Sequence, residues 1–202
     1  MSLKDAKISF LVDAATDLFM SKSISEVTIK DIAVAAQVGE ATIYRYFSSK
    51  QNIVVQAAMK IQAIVSKDFF NLEKANNGFE KLKAFYESYL EIFNKHPNFY
   101  KFLNDFDAYV SIEDSQIINP YETAIETYKQ DYMKAYELGL IDGTIKKQND
   151  IEMFYFSTTH ALLELAKKLA FKKEVLNQDK RIKKTSELQC LINIFLEALN
   201  NR

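Results

Sequence analysis

Apolar residues recur at helical spacing along most of the chain. Ile8, Leu11, Val12, Ala15, Leu18 and Phe19 share one stripe and predict a helix from Lys4 to Met20. Thr28, with Asp31 three residues on, is a variant of the capping box. It opens a short helix whose inner face is Ile32, Ala33 and Ala36. Gln37, Val38 and Gly39 read as a tight turn, and a second short helix spans Glu40 to Phe47 with Ile43 and Phe47 buried. Ser48 and Ser49 cap a longer helix from Lys50 to about Lys67, striped by Ile53, Ala57, Ile61, Ile64 and Val65.

The pattern continues beyond a turn at Asn76, Asn77 and Gly78. A helix from Phe79 to Lys95 ends at His96, because a proline disfavours helix in the residue before it. Another covers Asn98 to Tyr109, and the polar run Ser111 to Asn119 reads as a loop. Asn119 then caps a helix with Pro120 at its first position, ending near Gly139. Asn149 caps the next, to about Lys173, and the last runs from Thr185 to Leu199. The expectation is an all-α chain of about nine helices with no strand. Its predicted divisions are a head at residues 1–48, a connecting helix at 49–70 and a larger domain at 71–202.

Composition agrees with this. The 202 residues are 48% hydrophobic and include only four Gly and two Pro, too few breakers for an all-β chain. The single Cys190 excludes an intramolecular disulfide scaffold and suits a reducing cytoplasm. Two histidines, His96 and His160, leave little for a metal site or a catalytic triad, so no metal and no cofactor are expected. No apolar run approaches the roughly 20 residues that span a bilayer, and the N-terminus reads as lacking a signal peptide. The expected setting is cytoplasmic, with no membrane partner. Of 26 aromatic residues, 21 lie in residues 61–202, so the two parts differ in character.

The stretch VTIKDIAVAAQVGEATIYRYFSSK, residues 27–50, carries the chemistry. Two short helices joined by a three-residue turn make a helix-turn-helix, which places its second helix in the major groove of DNA. Arg45 can take guanine bidentately or hold a phosphate. Ala41 and Thr42 can pack on a thymine methyl, and Glu40 can accept from a cytosine amino group. Tyr44 and Tyr46 can donate hydroxyls to phosphates. Thr28 and Lys50 stand at helix N-termini, where amides favour an anion, and Lys30 adds a charge. Charge alone does not decide the matter: the first 60 residues hold seven cations and six acids.

Residues 8–65 resemble the DNA-binding head of the TetR family of bacterial transcription regulators. The matching elements are Thr28, Ile32-Ala33, Ala36, Val38, Thr42-Ile43-Tyr44, Tyr46-Phe47 and Ser49-Lys50. Two positions depart from the pattern: Gln37 replaces the usual turn glycine, and Gly39 replaces a Ser-like cap. The resemblance implies a regulator, usually a repressor, that binds a palindromic double-stranded operator as a homodimer. It also implies a C-terminal helical domain for ligand binding and dimerisation, in which an effector shifts the connecting helix.

The larger domain supports those roles unequally. No charged residue occurs from Met153 to Leu163, and the last helix is apolar on two sides: Leu188, Leu191, Ile192, Phe195 and Leu199, then Cys190, Ile194 and Ala198. Helices apolar on two faces must bury both, and a twofold dimer through the last two helices does so. A small hydrophobic or aromatic effector would meet Phe85, Tyr89, Phe102, Phe106, Tyr128, Tyr132, Phe156 and His160, with Tyr109 and Thr159 beside them. For any single one of these, ordinary core packing is the reading preferred over ligand contact, and His160 reads as a buried, hydrogen-bonded residue. Six cations between Phe171 and Thr185 read as a solvated helix end. The rival function is a helical interaction protein, or an enzyme acting on a hydrophobic substrate, that shares only the head fold.

Overall fold

The computed structural model describes residues 2–70, 72, 75–110, 115–171 and 183–201. Among these residues there are nine helices in chain order. They are α1 Leu3–Ser21, α2 Ile29–Ala35, α3 Glu40–Tyr46, α4 Lys50–Phe69, α5 Gly78–Lys95, α6 Pro97–Tyr109, α7 Ser115–Ile141, α8 Ile151–Ala170 and α9 Lys184–Leu199. No strand occurs among the described residues; a single isolated bridge joins Ile145 to Asn200.

Three helix starts differ in instructive ways. The capping box at Thr28 forms: its side chain accepts from the Asp31 amide, and the Asp31 carboxylate accepts from the Thr28 amide at 2.8 Å. The cap of α8 is Asp150, not Asn149; its carboxylate accepts from the Met153 amide at 2.9 Å. An ionised oxygen at this position also complements the helix dipole, which a neutral amide does only partly. The second departure from expectation is the loop before Pro120. Residues 115–119 are helical, and Pro120 lies inside α7. A proline lacks one amide, so in the second turn of a 27-residue helix it deletes a single backbone bond of the ladder. Residues 111–114 of that expected loop, the expected end of α8 at Lys173 and most of the cation run lie outside the described residues.

The chain divides into two compact units, neither continuous in sequence. The first is residues 1–64 with 101–124, and the second is residues 65–100 with 125–202. Residues 101–124 thus belong with the head, a division the sequence pattern does not suggest.

In the first unit α1 packs on α2 and α2 on α3. Its core is small and mostly aliphatic: Leu11, Ala15, Ile24, Ile32, Ile43 and Ala57 are all fully buried. An ion pair between Lys60 and Asp13 ties α4 to α1. Ile64, expected on the inner stripe of α4, is 48% exposed, while Val54, Val55 and Ala58 are buried beside Ile53 and Ala57.

In the second unit α5 packs on α9 and α8. Its centre is aromatic. Phe85 meets Tyr132 at 5.1 Å between ring centroids and Tyr86 at 5.6 Å, both edge-on. The Tyr86 hydroxyl lies 2.9 Å from that of Tyr132 and 2.8 Å from that of Thr158. A backbone crossing fixes one end of the unit. A Cβ on Gly78 would stand 2.1 Å from the Gly139 nitrogen, so α5 and α7 meet there without side chains. The Gly78 amide is capped from the same side by Asp142 at 2.8 Å.

Candidate nucleic-acid interface

The helix-turn-helix is built by local devices. After α2 the Val38 amide reaches back to the Ala33 carbonyl at 2.9 Å. This geometry puts Gln37 at φ 51°, the only positive value for a non-glycine among the described residues. Placing a Cβ in the left-handed region costs roughly 1 kcal/mol. Gly39 follows as the N-cap of α3, with no side-chain capping bond.

Helix α3 has two faces. Ile43 is fully buried, and Phe47 just beyond the helix is 6% exposed. Glu40, Ala41, Tyr44 and Arg45 are exposed, and Thr42 and Tyr46 are half-buried. Tyr44 is 56% exposed despite its ring, an apolar surface presented to solvent by a helix whose inner side is fully packed. The Arg45 guanidinium lies 5.0 Å from the centroid of the Tyr46 ring and donates to its hydroxyl at 3.3 Å. A planar cation held on a ring keeps a defined direction, which suits it to guanine or phosphate.

The residues expected at helix N-termini are occupied otherwise. Both donors of Thr28 go to Asp31: its amide at 2.8 Å and its hydroxyl at 2.6 Å. Those hydrogen bonds hold the Asp31 carboxyl below its ordinary value, so this end of α2 already holds an anion. Lys30 beside it is exposed. The Lys50 ammonium turns inward, donates to the Ile24 carbonyl and sits 5.0 Å over the ring of Tyr109. Burial lowers its pKa, and the charge of Asp31 opposes that shift. Tyr109, grouped by sequence with the effector residues, therefore belongs to the head's own packing.

An open cleft of about 530 Å³ follows the outer side of α3 into α4. Tyr44, Arg45, Tyr46, Ser48, Asn52 and Gln56 line it, with Ile8 and Phe47 below. Ser48, Asn52 and Gln56 were not among the expected contacts. Their four-residue spacing marks one polar helical row, a signal present in the sequence.

This geometry is matched by sequence comparison. Residues 11–57 match the family described as bacterial regulatory proteins, tetR family. The chain carries a TetR-family head. No curated protein sequence matches it. Solved structures extend the TetR-like likeness over nearly all of the chain. A putative transcriptional regulator from Saccharomonospora viridis, in complex with choline, has a TM-score of 0.72 at 19% identity, with 98% of this chain and 99% of that chain covered. The regulator FadR from Bacillus subtilis, in complex with stearoyl-CoA, has a TM-score of 0.71 at 16% identity, covering 94% and 98%. A TetR family transcription regulator from Marinobacter aquaeolei VT8 has a TM-score of 0.61 at 18% identity, covering 98% and 97%. At such identities the likeness establishes the fold alone: an all-α TetR-like fold.

The residues expected to meet an effector are dispersed. Phe85 and Tyr132 are buried at the centre of the second unit. Tyr89 and Tyr128 are half-buried around Phe70, whose ring lies 5.7 Å and 4.7 Å from theirs. Phe102 and Phe106 belong to the first unit, where they stack at 5.9 Å. Phe156 is 37% exposed, and His160 is exposed beside it at 5.8 Å, contrary to the expectation of a buried histidine. Helix α8 instead buries Tyr155, Thr158, Thr159 and Leu162, so residues 156 and 160 fall on its opposite side. The second unit has an open cleft of about 560 Å³, and Phe70 is the one aromatic among its described lining residues. No helix among the described residues is long and apolar enough to cross a membrane.

Proposed function

We propose that this protein is a DNA-binding transcription regulator of the bacterial cytoplasm that acts as a homodimer on a palindromic operator. It represses in the absence of a small effector and is released by it. The observation that carries the reading is the division of α3, with Ile43 fully buried and Glu40, Ala41, Tyr44 and Arg45 outward. A helix so mounted offers a reading edge to the major groove while its other side holds it to the head. Tyr46, Ser48, Asn52 and Gln56 along the adjoining cleft supply neutral donors to phosphates. Thr42 meets bases from its half-buried position, and Lys30 adds charge at the edge. In this reading Thr28 and Lys50 support the surface by ordering α2 and α4.

Dimerisation is supported by the outer faces of α8 and α9. Met153 is 61% exposed, Phe156 37% and Ile194 55%, with Ala161, Cys190 and Ala198 exposed near them. Apolar side chains on both sides of two adjoining helices suit a self-complementary twofold contact. The effector reading draws support from Phe85, Tyr89, Tyr128, Tyr132 and Phe156, an aromatic set running from core to surface in one unit. It is also supported by the relatives in complex with choline and stearoyl-CoA. Effector and operator would then weaken each other's binding by one common factor.

The test is selection of bound duplexes from a randomised DNA library at physiological salt. The expected product is a palindrome bound by two protomers. Recovery of no specific duplex, with and without Glu40→Gln, overturns the reading.

A further inference from the structure

We propose that the second unit's open cleft binds an amphipathic anion, with a carboxylate or phosphate head among Lys67, Lys81 and Lys134 and an apolar tail on Phe70 and Leu138. The cleft has a volume of about 560 Å³, within the ordinary size range of small-molecule sites. Its three lysines come from three helices, α4, α5 and α7, and converge on one concavity. One carboxylate, Asp131, stands among the described lining residues, and it is already paired with Lys134 at 3.0 Å. The described lining residues therefore carry three cations against one carboxylate, in a chain whose net charge is −1. The Lys81 ammonium is fixed by the Leu72 carbonyl at 2.6 Å, which holds its charge at the cleft. Leu72, Ala135 and Leu138 add apolar wall to Phe70.

Phe70 gives the cleft depth. Its ring packs on Phe85 at 5.4 Å, Tyr89 at 5.7 Å and Tyr128 at 4.7 Å, so the floor of the cleft is the outer ring of the aromatic core. A tail laid on Phe70 continues an apolar surface already built, while the head group stays where water and ammonium groups meet. Ser66 and Lys67, at the last turns of α4, also line the cleft. An occupant thus touches the helix whose first turns carry Asn52 and Gln56. That regulatory consequence rests on the proposed function; the ligand chemistry does not.

The experiment uses the whole chain and ten-carbon probes that differ only in the head group: decanoate, decyl phosphate, decanol and decyltrimethylammonium. Calorimetry reads affinity. The expected result is that one or both anions bind about ten-fold or more tightly than the cation and the alcohol. Preference between decanoate and decyl phosphate assigns the head group. Lys67→Glu with Lys134→Gln should abolish the preference for anions; both side chains face water, so the fold is expected to tolerate the change. Leu138→Trp, which fills the cleft from an exposed lining position, should weaken every probe, including decanol. Equal binding of anion and cation, no binding of any probe, or a charge preference that survives the lysine changes overturns the proposal. Selection of duplexes with ligand-free protein is scored separately. A recovered palindrome with no anion preference removes the cleft proposal alone, and an anion preference without any duplex removes the regulator reading alone.

Discussion

The head and the second unit hold their shapes by different means. In residues 2–64 the core is mostly aliphatic and small, and backbone devices set the geometry: two capping boxes, a three-residue turn with Gln37 at φ 51°, and a glycine cap. In the second unit rings set the geometry. Phe85, Tyr86 and Tyr132 interlock edge-on, and two hydroxyl contacts bind Tyr86 to Tyr132 and Thr158. A unit fixed by its backbone can leave one helix face free for polar recognition. A unit fixed by interlocking rings spends its specificity on the interior and keeps adaptable surface at the edges. The contrast explains why Tyr44 is 56% exposed while Tyr86 and Tyr132 are fully buried.

The contrast can be tested hardest at Gly78. Gly78→Ala drives a Cβ into the backbone of α7, 2.1 Å from the Gly139 nitrogen, where nothing flexible can yield. The expected loss is about 3 kcal/mol or more, read by denaturant unfolding. Gly139→Ala meets the Ile145 side chain from its tip to its Cβ, with no backbone atom among its nearest contacts, and should cost less. Equal effects would show that side-chain packing, not the backbone crossing, holds that corner.

Next in size is a change that should leave stability alone. Tyr44→Ala removes an exposed ring from α3, so its melting temperature should shift within the range of a surface change, about 0.5 kcal/mol. Affinity for a selected duplex should fall by about 1–3 kcal/mol. A large stability loss with intact DNA binding would place Tyr44 in the core economy of the head.

A smaller effect comes from the buried hydroxyls. Tyr132→Phe removes one partner of Tyr86 and should cost about 1 kcal/mol at neutral pH. Burial pushes the Tyr86 phenol up to about 12, against the opposing bonds to Thr158 and Tyr132, and raises Tyr132 as well. A phenol with a raised folded pKa favours the folded state below its ordinary value near 10. That stability is lost as pH rises from there towards 12, because the unfolded chain ionises first. Alkaline melts should therefore show a falling midpoint across that window, with a shallower fall in Tyr132→Phe. The smallest effect is expected at the turn. Gln37→Gly relieves the left-handed backbone and should stabilise the head by up to about 1 kcal/mol, because the relief is offset in part by glycine's unfolded freedom.

The sequence and the fold agree wherever the decisive interaction is local. Thr28 and Asp31 announced a capping box, Ile43 and Phe47 an inner face, and the turn at Gln37 its own strain. Each involves groups within about one turn of each other, so the spacing contains the geometry. Agreement ends where contacts come from distant elements. Lys50 looked like a phosphate ligand at a helix start, and its ammonium instead joins Ile24 and Tyr109. Phe102 and Phe106 shared the aromatic character of Phe85 and Tyr132, yet they belong to a different unit. Ser48, Asn52 and Gln56 were visible as a polar row, but a row has no value until a cleft borders it.

By itself, the chain's pattern determined the all-α class, the order of the helices and the two-faced third helix, because helical period, caps and breakers act over a few residues. Tertiary structure alone decided which aromatic rings are interior, that residues 101–124 join the head's unit, and that Lys67, Lys81 and Lys134 gather around one hollow. Those outcomes depend on which faces of separate helices meet. Burial and charge convergence are properties of that meeting, and an apolar or cationic residue carries the same signature in sequence whether its neighbours arrive or not.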